Sequence, residues 1–180
     1  MALKSIIYKT MLGISDLDRH YYAEHPLTLA RHPSENDERL MVRLLAFALF
    51  ADERLEFGRG LSTEDEPALW LRDRTGAIKL WLDVGLPGER VMRRAAGRSD
   101  RVVVLAYGGR AVDVWWAKEG QMLAGLTKLT VLALAGEESA ALAGLAARNM
   151  DLQCTIQDGH ALLSDGERTV AIEPRRLTPA

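Results

Sequence analysis

The run Val102-Val103-Val104-Leu105 does most to restrict what this chain can fold into. Consecutive branched apolar residues with no polar alternate suit a strand covered on both faces rather than one with a wet side. Such a strand belongs inside a sheet flanked by helices. The surrounding sequence agrees with that arrangement. Leu129 to Leu134 reads as a second buried strand, and helical patterns at about 88–98, 111–126 and 137–148 alternate with these strands. Ala111 to Trp116 also fits a strand, so both readings stay open there.

Residues 3–14 and 19–30 read as extended segments joined by the turn residues Ser15-Asp16-Leu17-Asp18, with His25-Pro26 implying an edge position or a bulge in the second. A helix over 34–52 follows, opened by Ser34 with Asp37 in capping-box spacing and carrying Leu40, Met41, Leu44, Leu45, Ala48 and Leu49 at the helical period. Pro67 to Asp73 and Ala77 to Val84 form a hairpin candidate around Arg74-Thr75-Gly76. Leu152 to Gln157, His160 to Ser164 and Arg168 to Glu173 close the chain as a meander. The expected class is α/β or α+β with a mixed central sheet flanked by helices. The two-strand head and three-strand tail are expected to pair as a small additional antiparallel sheet.

With 180 residues, 48% hydrophobic and 27% charged, one domain with its own core is expected. The lone Cys154 excludes an internal disulfide framework. A net charge of −2 gives no whole-chain attraction to nucleic acid or anionic lipid and leaves only local patches to provide it. The opening residues lack the apolar stretch of a signal peptide, and no run approaches the roughly 18 residues of a spanning helix, so a cytoplasmic protein without membrane contact is expected.

Chemistry enters with the acids. On a helical wheel Met41, Val42, Leu45 and Leu49 fall within about 60° of Glu38, which places that carboxylate on the buried stripe where it needs a partner. Arg39 and Arg43 fall about 100–140° away. If Arg74-Thr75-Gly76 closes the hairpin, Asp65 of the triplet Glu64-Asp65-Glu66 lies diagonally from Asp83, roughly 7–8 Å away. A turn one residue tighter replaces Asp65 with Glu66. Carboxylates gathered this closely repel unless a cation neutralises them, and hard oxygen donors are what Mg²⁺ or Mn²⁺ take. Arg90, Arg93, Arg94 and Arg98 then recur along one helix face, with Arg101 beyond. Arginines beside a metal-holding acid cluster suit a phosphodiester. Singly, each feature has a plain structural explanation: a dipole-stabilised Glu, an acidic turn, a solvated helix face.

Histidines 20, 25, 32 and 160 lack paired zinc-site spacing, and Gly108-Gly109 lacks the further residues of a phosphate loop. Trp115-Trp116 reads as one core ring and one partly exposed ring.

The segments ARHPSENDERLMVRLLAFALFADERLEFGRGL, EDEPALW, LWLDVGLPGERVMRRA, VWW and LQCTIQDG resemble, in this order, those of the YaeQ family of small bacterial proteins. The likeness runs from the amino terminus to about Glu173. It implies a monomer with a variant of the PD-(D/E)XK nuclease-like fold: a core at about 34–148 and a small antiparallel sheet from about 3–30 and 151–174, all within 1–180. Carried over residue by residue, the helical acid of that pattern is similar to Glu38, the first strand acid to Asp65 or the adjacent Glu66, and the second to Asp83. The lysine two residues further is replaced by Gly85, leaving Arg93 or Arg94 to supply positive charge from a displaced position. Two functions follow. One is a Mg²⁺- or Mn²⁺-dependent nuclease-like protein, with Glu38, Asp65, Glu66 and Asp83 as metal ligands and Arg93 and Arg94 facing the phosphate. The other is a non-catalytic module that binds nucleic acid or a protein.

Overall fold

The structure is a computed structural model that describes residues 4–59 and 65–180, so Glu64 lies outside the described residues. The chain runs β1 (Ile6–Asp16), β2 (Tyr21–Arg31), α1 (Asp37–Leu49), β3 (Leu55–Phe57), β4 (Leu69–Arg72) and β5 (Ile78–Val84). It continues as α2 (Glu89–Arg98), β6 (Ser99–Ala106), α3 (Arg110–Leu123), β7 (Leu129–Ala133) and α4 (Gly136–Ala143). The tail is β8 (Asn149–Gln157), β9 (His160–Ser164), β10 (Thr169–Ile172) and β11 (Arg175–Arg176).

Two mixed sheets result. One has six strands in the order β11-β7-β6-β5-β4-β3, with β5, β6 and β7 mutually parallel. Their burial explains the apolar run: Val102 to Ala106 are fully buried, packed by the sheet's two faces against different partners. The other has five strands in the order β10-β9-β8-β1-β2. Head and tail do pair, but not as the expected antiparallel sheet, because β1 runs parallel to β8. A chain that returns through alternating strands and helices arrives at β8 pointing the same way as β1, and no tight turn links the two. The strand β8 alternates strictly between exposed and buried positions, as a sheet with one wet face requires. Pro26 sits on β2, an edge strand in unbroken register with β1, so the chain uses the edge and not a bulge. The very short β3 and β11 went unnoticed in the sequence. Segment 111–126 resolves as helix α3, which buries Trp115 and leaves Trp116 half-buried.

One hydrophobic core joins the inner face of the five-stranded sheet, α1, part of α4, and the face of the six-stranded sheet carrying Leu80, Leu82 and Val84. A second core lies on the opposite face of that sheet, where Trp81, Val102 and Val104 meet Met92 of α2 and Val112 and Trp115 of α3. Helix α1 therefore lies between two sheets, and every residue from Leu40 to Ala48 is buried, Arg43 included. Its cap is Asn36, whose side chain accepts from Arg39 N at 2.9 Å, and not Ser34. Glu35 turns inward instead and accepts two hydrogen bonds from Arg43, at 2.7 and 2.9 Å, while Arg43 also donates to Ala30 O of β2.

A buried pair of this kind costs most when half of it is removed. Glu35→Ala is expected to lower unfolding free energy in urea by about 3–5 kcal/mol, with the Glu35→Met/Arg43→Met double variant losing less than the single one. A single-variant loss below about 1 kcal/mol would mean that water already reaches Arg43.

Candidate functional site

Strands β5 and β6 end side by side, and the loops beyond them collect the polar groups of the region. Open sheets commonly bind ligands at this carboxyl end. Strand β5 ends at Val84, and Gly85 follows with φ of +106°, donating its N–H to Leu105 O at 3.0 Å. That backbone conformation is one that side chains with a Cβ rarely adopt, so a lysine here would be strained. A Cβ at Gly85 would meet Arg39 Nη1 at 3.5 Å. The same nitrogen donates to Val84 O at 3.0 Å. Helix α1 thus delivers a guanidinium to the place beside β5 where the expected lysine is missing.

Glu38, next to Arg39 on α1, is half-buried and accepts a 2.7 Å hydrogen bond from Ser139 Oγ of α4. Tyr107, just past β6, completes the group. Burial pushes its phenol above the ordinary value, and the adjacent Arg39 guanidinium pulls it back down. Arg39 Nε, buried and without a hydrogen-bond partner, stands 3.7 Å from Glu35 Oε1. Sequence reasoning missed Arg39, Tyr107 and Ser139. Arg39 was legible only as lying off the apolar stripe, which reads as solvent-facing unless the helix is packed on all sides.

The six residues singled out from sequence do not come together as expected. Strand pleating puts Asp83 on the face of Trp81, toward α2 and α3, whereas Leu82 and Val84 face α1. Glu38 therefore approaches the sheet from one side and Asp83 leaves it on the other. Asp83 Oδ2 accepts from Trp81 Nε1 at 2.8 Å and Oδ1 from Ala68 N at 3.0 Å. The hairpin register pairs Leu69 with Leu82 and slips at Leu71/Arg72, which brings Ala68 rather than Pro67 opposite Asp83. This is the second of the two expected registers, the one that favours Glu66 over Asp65. Asp65 is strongly exposed and is held by Arg94 Nη1 at 2.9 Å. Glu66 accepts from Arg59 N at 3.0 Å. Arg93 pairs with Glu89 one turn back. The arginines expected to replace the lysine are thus engaged on α2, and Arg39 stands nearer to Gly85. Among the described residues, no three His, Cys, Asp or Glu side chains gather as a metal-holding group.

A cavity of about 660 Å³ lies between the amino ends of α3 and α4 and contains none of these residues. Of the acids lining it, Glu138 has structural work: it accepts from Ala135 N and Glu173 N, each within 3 Å. Two further titratable positions, His25 and Cys154, are taken up by packing. Half-buried His25 packs on Phe47 and bonds the Tyr21 hydroxyl at 2.7 Å, and burial drives the Cys154 thiol up to about 12.

Burial is the main cause raising the Asp83 carboxyl above the usual aspartate value, while the bonds from Trp81 and Ala68 and the Arg39 charge oppose it. The folded chain then holds this proton to higher pH than the unfolded chain. Asp83's contribution to stability is full below the unfolded value and declines as pH rises through the raised one. A carbon-detected NMR titration should give Asp83 a midpoint above that of an ordinary aspartate, and Arg39→Gln should move it further up. A midpoint indifferent to Arg39→Gln would place the guanidinium out of electrostatic reach.

The comparisons with known proteins agree with one another. The model of the YaeQ protein family matches residues 1–174. The chain is 46% identical over 173 residues to the uncharacterized protein YaeQ of Salmonella typhi, covering 96% of each chain. It is 44% identical over 172 residues to the protein of the same name in Escherichia coli K12, covering 96% of this chain and 95% of that one. The crystal structure of YaeQ from Xanthomonas axonopodis pv. citri superposes with a TM-score of 0.94 at 48% identity, over 98% of this chain and 99% of the other. That from Pseudomonas syringae gives 0.93 at 35%, over 98% and 97%. From amino terminus to final strands, the chain belongs to the YaeQ family.

Proposed function

We propose that this chain binds the phosphodiester backbone of a nucleic acid at the carboxyl end of β5, as a non-catalytic module on a nuclease-like scaffold. The observation that carries this reading is Arg39, whose guanidinium stands beside Gly85 with its Nη1 on Val84 O. A fixed, planar, permanently protonated donor suits a phosphate oxygen but accepts no proton from water. The neighbouring helix α2 begins just beyond and carries Arg90, Arg93, Arg94 and Arg98 against the one acid Glu89. Gly88 caps it without a side chain, so its first amides also favour an anion. Backbone recognition by such groups is independent of base sequence.

The donor set does not suit a divalent ion as arranged. Asp83 and Glu38 lie on opposite faces of the six-stranded sheet, Asp65 is paired with Arg94, and Glu66 with Arg59. The reading as a Mg²⁺- or Mn²⁺-dependent nuclease acting through Glu38, Asp65 or Glu66, and Asp83 is supported by the family pattern of acids and is the competing one.

Fluorescence anisotropy with a labelled single-stranded oligonucleotide separates the two. Binding is expected to weaken steeply with salt, and Arg90→Gln, at an exposed residue, should lower the salt slope by about one. Manganese should leave the affinity unchanged and produce no cleavage. Cleavage that requires manganese and disappears in Asp83→Asn would replace this proposal with the nuclease.

A further inference from the structure

A second polar cavity, of about 420 Å³, opens at the other end of the six-stranded sheet, where α1 finishes and β5 and β6 begin. Its floor is apolar. Leu71, Leu80 and Arg101 are cross-strand neighbours in one row over β4, β5 and β6, and Leu49 and Phe50 at the end of α1 cover them. Two of its three cations are spoken for. Arg19 donates to buried Asp16 at 2.6 Å and to Ala51 O at 3.0 Å. Because α1 has no basic residue in its last turn, that second bond is what meets the negative end of the helix. Lys79 faces Asp100 at 2.9 Å and Asp73 at 3.7 Å.

Arg101 is different. Among the described residues it has neither an ion-pair nor a hydrogen-bond partner, and its guanidinium lies 5.5 Å from the Phe50 ring centre. The helix end no longer needs it, and the ring beneath gives its exposed guanidinium a face to lie on. A guanidinium so held presents its outer nitrogens to a carboxylate or phosphate. Asp52 on the same wall decides between them. Its carboxylate accepts from Arg54 N at 2.9 Å, and an acid on the wall beside the guanidinium opposes a dianion more than a monoanion.

We infer that this cavity binds a small organic monocarboxylate, its carboxylate on Arg101 and its apolar body on Leu49, Phe50, Leu71 and Leu80. The volume lies within the range of small-ligand sites, and an apolar floor with few convergent polar groups is their usual construction. The site is independent of the phosphodiester reading, since it shares no residue with it and lies at the opposite ends of the same strands.

The experiment titrates 3-phenylpropanoate into the isotope-labelled full chain and follows amide shifts by NMR. Saturable shifts are expected at residues 49–52, 71, 79–80 and 101, with 3-phenylpropan-1-ol and inorganic phosphate each binding about tenfold more weakly. Arg101→Gln should weaken the carboxylate about tenfold with the remaining spectrum unchanged, and Arg101→Lys should lose less. Equal affinity for the alcohol, equal affinity in Arg101→Gln, or shifts spread over the outer face of the five-stranded sheet would each overturn the assignment.

Discussion

A helix packed on every side leaves no room for charge without a partner, and α1 is that helix. Its two arginines look in opposite directions. Arg43 reaches Ala30 O in the five-stranded sheet and Glu35 beside it, while Arg39 reaches Val84 O in the six-stranded one. Desolvating a guanidinium is expensive enough that each must end on an acceptor, so the pair sets how far α1 lies from either sheet. The polar geometry at the end of β5 follows from that packing. Arg39 is near Gly85 because α1, packed between the sheets, carries it to Val84 O.

Much of the architecture could be read from the chain. The unbroken apolar runs at β6 and β7, the periodic stripe of α1 and the turns at Asp73 and Asp158 each follow local rules, and those rules agree with the fold. Asp73 shows how strongly: its carboxylate accepts from Thr75 N, the Thr75 hydroxyl and Ala77 N, which holds the turn by contacts within four residues. What escaped were features decided by tertiary contact. The Ser34–Asp37 spacing obeys a local capping rule, yet Glu35 is drawn inward to Arg43, and Asn36 is left at the cap position. The parallel pairing of β1 with β8 leaves no local trace at all.

The candidate site was harder to read for a related reason. Spacing places a residue along a strand, but its face depends on parity, and parity depends on the register. The slip at Leu71/Arg72 changes which residue opposes Asp83. Pleating then turns Asp83 toward Trp81, away from the side where Glu38 arrives. Of the acids that converge in a sequence diagram, Glu38 and Asp83 are separated by the thickness of one sheet, and Asp65 is drawn out to Arg94. Gly85 carried the more useful information, since a residue with positive φ and no side chain creates space, and the arginine beside it in the fold occupies that space.

The junction between β1 and β8 has a consequence for how the molecule is made. Lys9 aligns with Asn149, and Asp18 in the first turn grips the amides of Asp158 and Gly159, some 140 residues later in the chain. During synthesis the β1–β2 hairpin emerges well before β8 and then waits, one long flank unpaired, until that strand has followed. Pairing across such a separation slows folding, because the intervening loop must close before any contact rewards it. The hairpin is thus made long before the strand it pairs with and is among the last elements to be finished.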